Sequence, residues 1–154
     1  MTREQELLSG AALAVFRLNG QFLGVAEELA RPAGLTAARW QVLGAVLGEP
    51  LPVAGIARAM GITRQSVQRI ADLLVDQGLA EYVANPAHRR AKLLRPTDEG
   101  RAAIGRIDPG HAALARRLAD TLGPTALAAT LDALTRLSTA LDEIAPHADT
   151  PTTP

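Results

Sequence analysis

Two clusters of polar side chains in this chain could do chemistry, and both suit recognition better than catalysis. On a helix, at about 100° per residue, residues 63–74 separate into two faces. Val67, Ile70, Ala71 and Leu74 share an arc of roughly 100°, and Arg64, Gln65, Gln68 and Arg69 share another of roughly 140°. Arginine can place paired hydrogen bonds on guanine and glutamine can do the same on adenine, and both reach the major groove best from the first turns of a helix. Thr63 and Ser66 stand at that same end. No acid occurs from Thr63 to Arg69, and Asp72 and Asp76 follow only where such a helix would be leaving the groove. The second cluster is His88, Arg89, Arg90 and Lys92, in a stretch from Ala84 to Pro96 that also lacks acids. It suits phosphate contacts or an arginine inserted into a narrow minor groove. Taken singly, the first cluster would equally fit the solvated face of a surface helix, and the second a soluble turn.

The elements needed to hold these clusters can be read around them. Val53 to Met60 and Thr63 to Gln77 carry two short helical patterns separated only by Gly61 and Ile62, the spacing of a helix-turn-helix. After Gln77-Gly78 come two strand-like runs, Leu79 to Ala84 and Lys92 to Arg95, joined by the polar segment that holds the second cluster. A β-hairpin directly after a helix-turn-helix is a wing. Upstream, Leu8, Ala11, Val15, Leu18, Phe22, Val25 and Leu29 recur at helical steps, which predicts one long amphipathic helix over Glu4 to Ala30, ended by Arg31-Pro32-Ala33-Gly34. Thr36 is a predicted N-cap for a second helix carrying Trp40, Val42, Leu43 and Val46, closed by Gly48 to Pro52. Downstream, Thr97 caps a helix toward Leu122 that Asp108-Pro109-Gly110 is expected to interrupt, because proline lacks an amide donor and clashes with the preceding turn. Gly123-Pro124 opens a last helix with Leu127, Leu131, Leu134, Leu141 and Ile144 on one stripe, and His147 to Pro154 is expected to be disordered.

Composition agrees with a mainly helical chain and narrows the function. Hydrophobic residues are 47% of the 154 residues but aromatics only 3%, so the core must be made from many small helical contacts. The absence of cysteine removes disulfides, thiolate metal sites and a thiol nucleophile. His88, His111 and His147 share no helical spacing, so neither a metal nor another cofactor is expected. There is no glycine-rich phosphate loop and no nucleophile motif, which argues against an enzyme. The start of the chain carries acids where a signal peptide would need a basic flank, and no apolar run is long enough for a bilayer. A cytoplasmic location, with no membrane partner, is the expectation. The formal net charge is zero, but the charge is uneven. Arg58, Arg64, Arg69, Arg89, Arg90, Lys92 and Arg95 make the middle basic, while Asp120, Asp132, Asp142, Glu143 and Asp149 make the end acidic. One face is thus prepared to meet phosphate.

Within Val53 to Ile70 (VAGIARAMGITRQSVQRI), Ala57, Gly61, Val67 and Ile70 occupy the positions that a helix-turn-helix reserves for close packing. Together with Gly78-Leu79, the Asn85-Pro86 turn and Leu94 to Gly100 (LRPTDEG), this stretch resembles the MarR family of winged helix-turn-helix regulators. The similarity covers about Leu35 to Gly100, and the flanking helices agree in length and order. One departure stands out: the family usually has an aspartate two residues before the wing arginine, and here that position is His88. The acid that would brace the arginine is missing.

The resemblance implies a sequence-specific transcriptional regulator, usually a repressor, that grips pseudo-palindromic double-stranded DNA as a homodimer. It also implies release by a small aromatic or phenolic effector bound between the dimer helices and the DNA-binding lobe. The corresponding domain expectation is a dimerisation helix over 1–34, a winged module over 35–100, C-terminal dimerisation helices over 101–146 and a tail over 147–154. Phe16, Phe22, Trp40 and His111 could line an effector cleft between the first, second and fifth helices, although residues at such spacing also serve as plain core. The alternative function is a winged helix that binds only another protein. Such a module would not need Arg64, Gln65, Gln68 and Arg69 kept free of acids.

Overall fold

The computed structural model describes residues 1–145. It is mainly helical with a small antiparallel sheet, as the sequence predicts. In chain order the elements are α1 (Arg3–Ala30), α2 (Ala37–Ala45), β1 (Leu51–Pro52), α3 (Val53–Met60), α4 (Arg64–Asp76), β2 (Ala80–Val83), β3 (Leu93–Pro96), α5 (Asp98–Leu122) and α6 (Ala126–Ile144). The expected tail, His147 to Pro154, lies outside the described residues.

The chain divides into two compact units, residues 1–111 and the part from Ala112 onward. In the first, α2, α3 and α4 close a small core: Val42, Leu43, Val46, Ile56, Val67, Ala71 and Leu74 are buried there with Leu94 of β3 and Ile107 of α5. The apolar arc read from residues 67–74 is therefore the inner face of α4. Burying such aliphatic side chains contributes about 1.5–3 kcal/mol each, which is what holds the polar arc outward.

Helix ends are set by local chemistry. Thr2 and Gln5 form a reciprocal capping box at the start of α1. The start of α2 has two caps: Thr36 Oγ1 accepts from the Arg39 amide (3.2 Å), and Glu27 of α1 accepts from the Ala37 amide (3.0 Å). The second of these ties α1 to α2. Gly61 ends α3 in the left-handed region (φ 67°), where a side chain would be strained, and so allows α4 to begin within three residues.

The sheet has three strands in the order β1-β3-β2. The hairpin was expected, with Glu81 opposite Arg95 and Tyr82 opposite Leu94. The edge strand β1 was not. Leu51 and Pro52 pair with Leu94 and Leu93 in a segment whose sequence reads only as a helix terminator; proline is tolerated there because an edge strand leaves one side of its backbone unpaired. At the end of the hairpin Thr97 donates from Oγ1 to the Gly78 carbonyl (2.6 Å) and accepts from the Gly100 amide (3.1 Å), so it closes the wing and caps α5. A Cβ at Gly100 would overlap the Leu79 carbonyl oxygen, which explains glycine at that position.

One expectation is overturned. The helix predicted to break at Asp108-Pro109-Gly110 runs unbroken from Asp98 to Leu122, with Pro109 inside it. The amide that proline lacks would have bonded to the Gly105 carbonyl, and both residues are exposed, so that carbonyl is not left unpaired in a buried site. Gly105 also offers no side chain to the proline ring. Ala103, Ile104 and Ile107 anchor the preceding turns in the core, and Gly110 lies so close to α1 that a Cβ would meet Leu29 Cδ2 at 3.1 Å. Packing on both sides of the proline outweighs the local preference to stop.

In the second unit α6 stands out because none of its residues is buried. Leu131 is 66% exposed and Ile144 81%. No described helix is long and apolar enough to cross a membrane.

Candidate nucleic-acid interface

Helix α4 presents its polar arc beside the wing, and the two together form one open groove. It measures about 590 Å³ and is lined by Arg64, Gln65 and Gln68 of α4, Tyr82 of β2, and Arg90 and Lys92 of the wing. Pro52, Val53 and Ala54, where β1 passes into α3, complete it. The structure thus brings together five of the residues singled out from sequence, across a chain separation that spans the whole hairpin. Arg69, His88 and Arg89 are exposed but do not line the groove.

Thr63 and Ser66 have a local task. Thr63 Oγ1 accepts from the Ser66 amide (3.1 Å) and donates to Ser66 Oγ (2.9 Å), which caps α4. The first turn of this helix contains no acid, so the partial positive charge of its start is not offset by a carboxylate there. In the wing, the Asn85 side chain accepts from the Ala87 amide (3.0 Å) and shapes the turn that carries the basic residues.

The cations are not equivalent. Arg95 is consumed within the sheet: its Nε donates to Glu81 Oε1 across the hairpin at 2.6 Å. Among the described residues no ion pair involves Arg64, Arg69, Arg89, Arg90 or Lys92. These side chains keep their charge available for phosphate or base edges.

One member of the groove was missed from the sequence. Tyr82 Oη donates to Asp72 Oδ1 (2.6 Å) and accepts from Gln68 Nε2 (2.9 Å), while Gln68 Nε2 also donates to Asp72 Oδ1 (3.0 Å). Partial burial pushes the Tyr82 phenol up to about 12, and the hydrogen bond to Asp72 and its negative charge add to the rise. The phenol is therefore a neutral donor at physiological pH. The Gln68–Asp72 spacing of one helical turn was a legible signal for half of this network; the tyrosine's reach to α4 was not.

Away from the groove, Trp40 and His111 meet edge to face, with ring centroids 5.7 Å apart and planes at 89°. Phe16 and Phe22 point from α1 into solvent, 71% and 59% exposed. The described residues contain no cluster of side chains suited to hold a metal ion.

Comparison with known proteins decides what scaffold this is. A family model for MarR matches residues 33–91, the module that carries the groove. An uncharacterized protein of Mycobacterium tuberculosis is 44% identical over 127 residues, covering 82% of this chain and 89% of its own. The chain belongs to the MarR family. It is thus a transcription regulator with a DNA-binding winged helix. Among similar solved structures, the transcriptional repressor CouR bound to a 23-mer DNA duplex is 27% identical, with a TM-score of 0.74, over 90% of this chain and 99% of that one. CouR from Rhodococcus jostii RHA1 bound to p-coumaroyl-CoA is 26% identical, with a TM-score of 0.69, over 82% of this chain and 90% of that one.

Proposed function

We propose that this MarR-family chain is a repressor that binds pseudo-palindromic operator DNA as a homodimer and is released by a small aromatic effector. The observation that carries the DNA reading is the shared groove, in which Arg64, Gln65 and Gln68 stand beside Arg90 and Lys92. Arg64, Gln65, Gln68 and Arg69 supply base contacts from the first turns of α4, and Arg89, Arg90 and Lys92, with His88 at the tip, supply wing contacts to the backbone or minor groove. Thr63 and Ser66 serve the interface by fixing the start of α4.

The dimer reading rests on unpartnered apolar faces. Leu7, Leu8, Leu13, Phe16 and Phe22 of α1, and Leu131, Leu141 and Ile144 of α6, are all exposed in a single chain. Faces of this kind are typical of surfaces covered in an oligomer. The effector reading rests on CouR, whose crystal structure holds p-coumaroyl-CoA, and on the Trp40–His111 pair as a wall that is aromatic with a polar edge.

The test is selection of binding sites from random DNA by the purified chain. The expected sites are inverted repeats with half-site centres about 34 Å apart, bound with a steep loss of affinity as salt rises. Equal affinity for selected and random DNA would overturn sequence-specific binding. Release of the selected site by p-coumaroyl-CoA or simple phenolic acids is the expected effector response.

A further inference from the structure

Three side chains from two elements meet beside the groove. Gln68 and Asp72 stand one turn apart on α4, and Tyr82 comes to them from β2 of the wing. Tyr82 Oη and Asp72 Oδ1 are only 2.6 Å apart, and both lie within hydrogen-bond reach of Gln68 Nε2, at 2.9 and 3.0 Å. Asp72 is an acceptor only, which decides that the amide turns its NH₂ and not its oxygen this way. The two acceptors crowd one side of that nitrogen, so a single N–H can fork to both. Gln68 is thereby anchored and still keeps its second N–H and Oε1, and it is one of the residues that line the groove.

We propose that Tyr82 is a positioning residue for base recognition: reaching from β2, it holds Gln68 in one orientation on α4 and so sharpens the discrimination that Gln68 makes at one base position in each half-site. The proposal rests on the DNA-binding reading above and names a residue that acts on it through Gln68, not on the base itself. A free glutamine side chain has many rotamers, and ordering them on binding costs entropy whichever base is present. A side chain held beforehand loses less, and it offers its donor and acceptor to one pattern only. Asp72 by itself is a same-helix partner for Gln68. Tyr82 adds a second acceptor for Gln68 and a proton for Asp72, and it supplies them from the wing. Partial burial, followed by the Asp72 hydrogen bond and charge, raises the phenol to about 12, so no change near neutrality removes that proton.

The test uses the full chain and a panel of duplexes carrying each of the four bases at every position of a selected site. Affinities are measured for wild type, Gln68→Ala, Tyr82→Phe, the double variant and Asp72→Ala, with denaturant unfolding of each as a check on folding. Gln68→Ala is expected to level one position per half-site, at which wild type prefers its base by about tenfold to a hundredfold. Tyr82→Phe keeps the ring and removes only the hydroxyl, and it should lower the preference at that same position by about three- to tenfold. In the Gln68→Ala background it should change nothing there, the signature of two residues acting as one unit. A purely structural role for the hydroxyl would instead weaken all sequences alike and leave the preference intact. Should Tyr82→Phe fail to fold, Asp72→Ala, at an exposed site, removes the partner shared by Tyr82 and Gln68 and should lower the preference at the same position. Because that change also deletes a carboxylate beside the groove, it is read as the ratio between bases and not as affinity. An unchanged preference in a folded Tyr82→Phe, an effect of Tyr82→Phe at that position that persists without Gln68, or no position altered by Gln68→Ala would overturn the proposal while leaving sequence-specific binding intact. A wild type with no base preference anywhere would overturn the DNA-binding reading itself, and the proposal with it.

Discussion

The winged module and the last helix treat their leucines in opposite ways. Leu43, Leu74 and Leu94 are fully buried within one chain, whereas Leu131 and Leu141 of α6 are exposed on an equally regular stripe. The same helical periodicity therefore carries two meanings. In the module it closes a core that can stand alone and frees the other face of α4 for polar work; in α6, as along α1, it leaves an apolar surface that a single chain does not cover. The comparison teaches that a closed core and an outward polar face of α4 are built within one chain, while the apolar stripe of α6 is left uncovered by it.

The sharpest way to break this comparison is Leu131→Asp. On a surface that stays exposed such a change should shift stability by no more than about 0.5 kcal/mol. As part of a dimer face it should yield monomers in sedimentation and lower affinity for a two-half-site operator by about 10²–10⁴-fold, since the second contact is no longer intramolecular. Leu74→Ala is the matching change in the module and should cost about 2–5 kcal/mol in denaturant unfolding, with or without the partner. Failure of that loss to appear would place the core elsewhere.

Smaller effects separate the two parts of the groove. Arg64→Ala should cost about 1–3 kcal/mol on the preferred site and relax one position per half-site. Arg90→Ala should weaken all sequences alike and flatten the slope of log affinity against log salt by about one unit. Equal losses on specific and random DNA for Arg64→Ala would assign that residue to phosphate as well.

A pH measurement probes the network behind the groove. The folded phenol of Tyr82, the only tyrosine, is raised from the ordinary value of 10.0 to about 12, so between these values the unfolded chain loses a proton that the folded chain keeps. Its contribution to stability is complete below pH 10 and is lost as the pH rises toward 12. Tyr82→Phe should flatten the alkaline fall in stability, and an unchanged pH dependence would mean that the phenol is not held as described. The smallest expected effect is spectroscopic. Trp40 is the only tryptophan, and His111→Ala should shift its emission without changing the affinity for DNA.

Much of this molecule was legible in its residues because the signals are local. The helix-turn-helix over 53–77, the caps at Thr36 and Thr97, and the separation of Arg64, Gln65 and Gln68 from Val67, Ile70 and Leu74 each depend on residues within a few positions of one another. What the sequence could not reveal depends on partners far along the chain. Tyr82 reaches Gln68 across 14 residues, Glu81 neutralises Arg95 across another 14, and Leu51 finds Leu94 only once the hairpin has folded beside it. At Pro109 local preference pointed the wrong way, because the cost of one missing hydrogen bond was set against packing on α1 and the core. The residue types by themselves determined a winged module with a basic reading face. Only the tertiary structure decided which of those side chains stay free to read, since hydrogen-bond partners and neutralising charges are supplied by elements that sequence spacing does not bring together.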